Sequence, residues 1–187
     1  MEAESSFRNV HQHLIEGCRT NDSECQLQLY RIYYRSMYNT AVRMLHHTAE
    51  AEDCMQEAFL KAFTRIDSYQ NEVSFGSWLK RIVVNTCLDE LRKRKLEFAE
   101  TDKLPEAAED PFDFDCGSEM TADCIKRCIG ELPDNYRVII SLFLLEGYDH
   151  EEIAEILHIT NAASRTLLHR AKQKLAALVK EKQKISI

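Results

Sequence analysis

Asp149-His150-Glu151-Glu152-Ile153-Ala154-Glu155-Ile156-Leu157-His158-Ile159-Thr160-Asn161-Ala162-Ala163-Ser164-Arg165-Thr166-Leu167-Leu168-His169-Arg170-Ala171-Lys172 is the stretch whose reading decides the fold. Asp149 followed three residues later by Glu152 has the form of a capping box, which satisfies the first free backbone N–H groups of a helix. The box opens a short helix with Ile153, Ala154, Ile156 and Leu157 as its packed face. His158-Ile159-Thr160 then makes a tight turn, and Thr160 is placed to cap a second helix beginning at Asn161. Two short helices joined in this way form a helix-turn-helix, whose second helix enters the major groove of DNA. Leu168, Ala171, Leu175 and Leu178 give that second helix a buried stripe. The stripe leaves Ser164, Arg165, His169, Lys172 and Lys174 for solvent or DNA, with Arg170 close beside them. Arg can take a guanine edge bidentately, and Ser or His can reach base edges or phosphates. Thr160, Ser164, Arg165, His169, Arg170 and Lys172 are therefore the candidate DNA contacts of this head. A run of charge alone is more often a solvated helix face. The succession of box, turn and basic helix favours the DNA reading. His150-Glu151 also resembles the start of a zinc-protease motif, but Ala154 occupies the place of the required second His.

The rest of the chain is equally helical in composition. Its 187 residues include only 5 Gly and 3 Pro, and 44% are apolar, which predicts an all-α protein with one or two modest cores. The net charge of −7 would weigh against a free-standing DNA binder, because affinity comes largely from Lys and Arg on phosphates. The charge is segregated, however. Basic clusters stand at Arg92-Lys93-Arg94-Lys95 and along Arg165 to Lys182, and acids gather between Glu97 and Glu119. Residues 1–20 carry no secretory pattern, and the apolar run Val138 to Leu145 is too short to span a bilayer, so a cytoplasmic protein is expected. Its 7 cysteines are then expected to be reduced, and their odd number argues against a closed disulfide framework.

Working upstream, Val138, Ile139, Leu142, Phe143 and Leu145 read as a core helix ending at Gly147, after a Leu132-Pro133 boundary and an earlier helix bearing Ile125, Cys128 and Ile129. The segment from Glu97 to Glu119, with Pro105 and Pro111, reads as an acidic tether. Before it, Trp78 opens a helix with Leu79, Ile82, Val83, Thr86, Cys87 and Leu91 inward, and Asp67 to Ser77 form a loop. Thr48 is the expected cap of a further helix running to about Ile66, with a stripe of Cys54, Ala58, Phe59, Ala62, Phe63 and Ile66. Asp53, Gln56, Glu57 and Lys61 fall outside that stripe. Residues 7–46 read as two helices supplying aromatic bulk through Leu27, Tyr30, Ile32, Tyr33, Tyr34, Met37 and Tyr38. The predicted organisation is two small helical domains, 7–95 and 120–183, joined by an acidic linker at 96–119.

In these residues the chain resembles the extracytoplasmic-function sigma factors of bacterial RNA polymerase. Ala51-Glu52-Asp53-Cys54-Met55-Gln56-Glu57-Ala58-Phe59 is similar to the family's polymerase-binding helix, and Phe75-Gly76-Ser77-Trp78-Leu79-Lys80-Arg81-Ile82 followed by Asn85 to its minus-ten-reading helix. Leu132-Pro133 with Arg137, Glu152-Ile153-Ala154-Glu155-Ile156-Leu157 and Leu168-His169-Arg170-Ala171 are similar to its last domain. The resemblance implies a non-enzymatic factor without cofactor or metal that binds core RNA polymerase and promoter DNA, under the control of an anti-sigma factor. It implies polymerase contacts at Asp53, Gln56 and Glu57, and minus-thirty-five contacts on the second helix of the carboxy-terminal head. It also places the minus-ten element on Tyr69, Phe75, Trp78, Lys80, Arg81, Asn85 and Arg92. The chemistry agrees: an extruded base needs an aromatic or apolar pocket, which Tyr69, Phe75 and Trp78 can build. Asn85 offers both donor and acceptor to a base edge, and Lys80, Arg81 and Arg92 suit the backbone. The tether resembles the family's linker through the polymerase's RNA channel. Three residues depart from the family pattern: His158 in place of the turn Gly, and Ser164 and Leu167 where Val and Arg are common. Leu167 is expected to remove a phosphate contact.

Two other function classes stay open at this point. A self-sufficient helix-turn-helix regulator would bind DNA unaided, leaving the amino-terminal two-fifths unexplained. A nuclease would hold magnesium on the carboxylates of Glu97 to Glu119, a poor support for catalytic geometry. Cys124 and Cys128, one helical turn apart with Cys116 nearby, have the spacing of a partial metal or redox site but no fourth ligand.

Overall fold

The structure, a computed structural model, describes residues 10–94 and 122–185. The expected linker 96–119 with Cys116, Lys95 and residues 7–9 lie outside the described residues. The chain divides into two compact units, Met1–Leu91 and Arg92–Ile187. Both are helical, with no strand among the described residues.

The first unit holds α1 (Gln12–Arg19), α2 (Ser23–Leu45), α3 (Thr48–Thr64), a 3-10 turn (Ile66–Ser68) and α4 (Phe75–Lys93). Asp22 caps α2 by accepting from the N–H groups of Glu24 and Cys25, bonds that hold its carboxyl below the usual carboxylate value. α2 ends on His46 in the left-handed region, φ 52°. The cap of α3 is His47, one residue before the expected Thr48; its Nδ1 accepts from Glu50 N–H. α4 starts three residues before Trp78, because Ser74 Oγ accepts from Ser77 N–H at 3.1 Å. Leu14, Ile15, Leu29, Met37, Met44, Met55, Phe59, Phe75, Leu79, Val83, Leu88 and Leu91 form the core. Small residues on α3 (Ala51, Cys54, Ala58, Ala62) leave room for neighbouring helices, and the Cys54 thiol hydrogen-bonds that of Cys87 on α4. Gly76 is also a packing necessity: a Cβ there would lie 3.0 Å from the ring of Tyr33 on α2. Leu27, Ile32 and Tyr34, expected to add bulk to the core, are 40–45% exposed. Ile32 and Tyr34 stand between the buried Leu29 and Met37, on sides of α2 that its partners leave open.

The second unit holds α5 (Ala122–Gly130), α6 (Asp134–Ile140) continuing as a π-helical turn (Ser141–Leu145), α7 (His150–Leu157) and α8 (Asn161–Ile185). α8 is the centre, packed by α5, α6 and α7. Arg137, only 4% exposed, donates to the carbonyls of Gly130 and Leu132 and pairs with Asp134, closing the α5–α6 turn. Lys182 near the end of α8 pairs with Glu131, which raises the ammonium's pKa and ties α8 to that turn. The capping box is present: Asp149 accepts from Glu151 and Glu152 N–H groups while Glu152 accepts from Asp149 N–H. Thr160 Oγ1 accepts from Ala163 N–H at 3.1 Å, so the second cap is present too. The helix through Val138 to Leu145 departs from expectation. A π turn inserts one residue, rotating the side chains after it by about 100°. Leu145, expected inside, is 42% exposed at the end of this turn, beside Leu144 at 49%.

Two residues in left-handed backbone make opposite predictions. Gly147 has φ +81° with nothing within 4 Å of a notional Cβ, so Gly147→Ala should cost about 1 kcal/mol from backbone strain alone. His158 turns the chain out of α7 at φ 57°, so His158→Gly should stabilise by up to about 1 kcal/mol. Urea denaturation of the full chain measures both, as shifts of midpoint at constant slope.

Candidate nucleic-acid and polymerase interface

On α4, Leu79, Val83, Cys87 and Leu91 are buried and the opposite side is open. Trp78, Arg81, Asn85 and Arg92 fall within about 80° of arc at about 100° per residue. Asn85 is exposed, as are Arg81 and Arg92, while Trp78 is half-buried. Asp89 shares this stripe and would temper its charge. Sequence reasoning passed over it, although its helical spacing from Asn85 signalled the place. Lys80 lies half-buried on another side of the helix and is not brought together with the rest.

The three candidate pocket aromatics separate into two kinds. Tyr69 and Phe75 are 2% and 0% exposed, so they are core residues and not open stacking surfaces. Tyr69 is held from both ends: its hydroxyl donates to the Val73 carbonyl at 2.6 Å, and its carbonyl accepts from Arg19 at 2.6 Å. Their rings stand 5.3 and 5.6 Å from that of Trp78 and back it from inside. Trp78 alone of the three presents part of its ring to solvent. The family resemblance made Tyr69 and Phe75 pocket candidates; the long-range contact of Phe75 with Tyr33 (5.4 Å) draws them in.

Asp53, Gln56 and Glu57 on α3 are all exposed. Glu57 is paired with Lys61 at 2.8 Å, and Lys61 also donates to Thr86 of α4 at 3.3 Å, bracing the two helices. The sequence reading missed Leu60. It is 68% exposed in the middle of this polar stripe, on the expected helical spacing from Asp53, Gln56 and Glu57. Leu60 also borders an open groove of about 400 Å³ shared with Leu27, Tyr30, Gln56, Phe59 and Phe63.

On α8 the expected contacts divide again. Arg165 and Thr160 are exposed, and His169 and Lys172 are partly exposed on the arc of Arg165. Asn161, which the sequence pattern did not single out, lies on that arc and accepts from Arg165 Nε at 3.0 Å. Arg170 points about 100° or more away from these residues. Ser164 corrects an expectation: it is 0% exposed and hydrogen-bonded to His150 at 2.9 Å, so it is not left for solvent or DNA. Leu167 is likewise 2% exposed and belongs to the core. With α5, α6 and α7 all packed on α8, the buried arc is wider than a one-sided stripe predicts; Leu178 is half-buried and Val179 takes its place inside.

Cys124 and Cys128 touch through their thiols, and burial raises the Cys128 pKa. Among the described residues no group of three or more His, Cys, Asp or Glu is placed to hold a metal ion, and no helix is long and apolar enough to cross a membrane.

A helical protein of two compact units, one with an amide-bearing open stripe and one with a helix-turn-helix, belongs to the class of DNA-reading transcription proteins. The Sigma-70 region 2 family matches residues 29–97 and the Sigma-70 region 4 family residues 122–175. The chain is 32% identical over 173 residues to the ECF RNA polymerase sigma factor SigW of Bacillus subtilis (strain 168), covering 86% of this chain and 92% of that protein. It is 30% identical over 156 residues to the ECF factor SigM of the same organism, covering 81% and 93%. Solved structures of similar fold include the sigma factor RpoE in complex with the anti-sigma factor NepR from Bartonella quintana (TM-score 0.57, 23% identity, 82% of this chain and 95% of that one). Another is CnrH in complex with the cytosolic domain of CnrY (TM-score 0.56, 20% identity, 91% and 97%). The chain belongs to the ECF family of RNA polymerase sigma factors. It is an alternative sigma factor for transcription initiation, in a family of non-enzymatic factors.

Hydrogen bonding to Cys54, followed by burial, raises the Cys87 thiol, and burial pushes Cys18 up to about 11. Thiolates, not thiols, react, so at pH 8 Cys18, Cys54 and Cys87 should react with a disulfide reagent no faster than the unit opens. The partly exposed Cys25 and Cys124 should be modified before them; site-resolved mass spectrometry over a time course checks the order.

Proposed function

We propose that this chain docks on core RNA polymerase and directs it to promoters by reading a minus-ten element with α4 and a minus-thirty-five element with α8. The observation that carries this reading is the open stripe Trp78, Arg81, Asn85 and Arg92 beside a fully packed core. Asn85 is exposed between Val83, Val84, Thr86, Cys87 and Leu88, all buried. Exposed, it can both donate to and accept from a base edge. Trp78, backed by Tyr69 and Phe75, offers a ring face to an unstacked base, and Arg81 and Arg92 hold phosphates. On α8, Arg165, His169 and Lys172 face DNA from one arc, with Thr160 at the turn. Arg170 serves from its flank, and Lys80 supports α4 from the side.

Polymerase docking falls to Asp53, Gln56 and Glu57, with exposed Leu60 as the apolar anchor that such a polar face needs at its centre. An anti-sigma factor would act by covering these same surfaces, a reading supported by the anti-sigma complexes of the structural relatives. The two domains lie at 7–95 and 120–183, with 96–119 as linker, and the protein works in the cytoplasm.

Run-off transcription with core polymerase tests the reading. Chain-dependent start sites over a promoter library are expected, and their absence ends it. Tight, specific duplex binding by the chain without polymerase would make it a self-sufficient helix-turn-helix regulator instead. Asn85→Ala should lower open-complex formation about tenfold, since one bidentate base contact is worth about 1–3 kcal/mol, with polymerase affinity unchanged. Leu60→Asp should do the reverse, weakening polymerase binding at least about tenfold, as loss of a central apolar anchor does. Equal loss in both assays for Asn85→Ala would assign that residue to structure.

A further inference from the structure

The buried hydroxyl of Ser164, at the junction of the two helices of the carboxy-terminal head, is left unused by the proposed function. It sits in the first turns of α8 beside Ala163, Leu167 and Leu168, all 4% exposed or less. A hydroxyl taken out of water must find a partner. Its partner is His150 Nδ1, 2.9 Å away, on the first residue of α7. The same imidazole lies against the ring of Phe143 in the π turn, centroids 4.8 Å apart and planes inclined by 32°. Lys172 of α8 places its Nζ over that ring, 5.6 Å from the centroid. His150 thus joins α7 to α8 directly and, through Phe143 and Lys172, joins them again by way of the π turn.

Apolar packing between two helices is non-directional and tolerates a range of crossing angles. A hydrogen bond from a ring held on its other side by an aromatic face selects one angle. Here the selected angle is that of the reading helix. Arg165 follows Ser164 immediately, and Lys172 is itself the far end of the network; both belong to the arc proposed to face DNA. We propose that His150 is a positioning residue for promoter recognition, acting through Ser164 and Phe143 to fix how α8 presents Arg165 and Lys172. This rests on the reading of α8 as a DNA-reading helix.

Four variants of the full chain separate this from a simple stabilising contact. His150→Asn keeps a polar atom where Nδ1 stands, His150→Gln moves it to the place of Nε2, and His150→Phe keeps the ring contact without the bond. Ser164→Ala removes the partner. With core polymerase, the readout is the ratio of transcripts from a promoter with an intact minus-thirty-five element to those from one with that element scrambled. His150→Gln and His150→Phe should lower this ratio about tenfold, the usual effect of orphaning one buried polar group. His150→Asn should hold it within about twofold, and Ser164→Ala in the His150→Phe chain should cause no further loss, since both remove one coupling. An unchanged ratio for His150→Phe, or equal losses on both promoters, overturns the proposal. Amide chemical shifts of the full chain give a reading that needs no polymerase. The Arg165 and Lys172 signals should move in His150→Phe and stay in place in His150→Asn. Shifts that stop at the residues touching position 150 also overturn it. Absence of any chain-dependent transcription with the parent protein would sink the sigma reading, while the shift comparison would still decide whether His150 positions α8.

Discussion

Burial of one side of α4 is the constraint on which the amino-terminal unit depends. Leu79, Val83, Cys87 and Leu91 go inside because each apolar side chain removed from water contributes about 1.5–3 kcal/mol. An α-helix has only two sides to offer, so the same burial turns Trp78, Arg81, Asn85 and Arg92 outward. The small side chains of α3 make the packing possible, and the Cys54–Cys87 thiol contact lies at its centre. α3 itself obeys the same rule, burying Cys54, Met55, Ala58 and Phe59 and leaving Asp53, Gln56, Glu57 and Leu60 exposed. Two open stripes therefore come from one core.

The carboxy-terminal unit solves a harder problem. Its last helix, α8, is short of free surface because three helices pack on it. Arg165, His169 and Lys172 keep to a narrow arc, and the turn that aims them is held by a capping box, a Thr cap and a left-handed His158. Each device satisfies backbone groups that a short helix would otherwise leave bare. The polar bridge from His150 to Ser164 joins α7 to α8 beside that turn.

Charge connects the two units to their work. In the proposed role, a chain with net charge −7 would hold DNA weakly overall, and its cationic arcs would gain selectivity from being few and well placed. Asp89 within the α4 stripe adds to that restraint.

Much of this is legible in the sequence, because helix caps, helical spacing and family motifs are local signals. The all-α class, the capping box, the Thr160 cap, the turn at His158 and the exposure of Asn85 and of Asp53, Gln56 and Glu57 are set by residues close in sequence. What only tertiary structure decided concerns residues whose neighbours come from far along the chain. Tyr69 and Phe75 went inside through α1 and α2, and Ser164 through α7. Periodicity states which side of a helix is apolar, but how many partners press on it, and over how wide an arc, is settled only when those partners arrive.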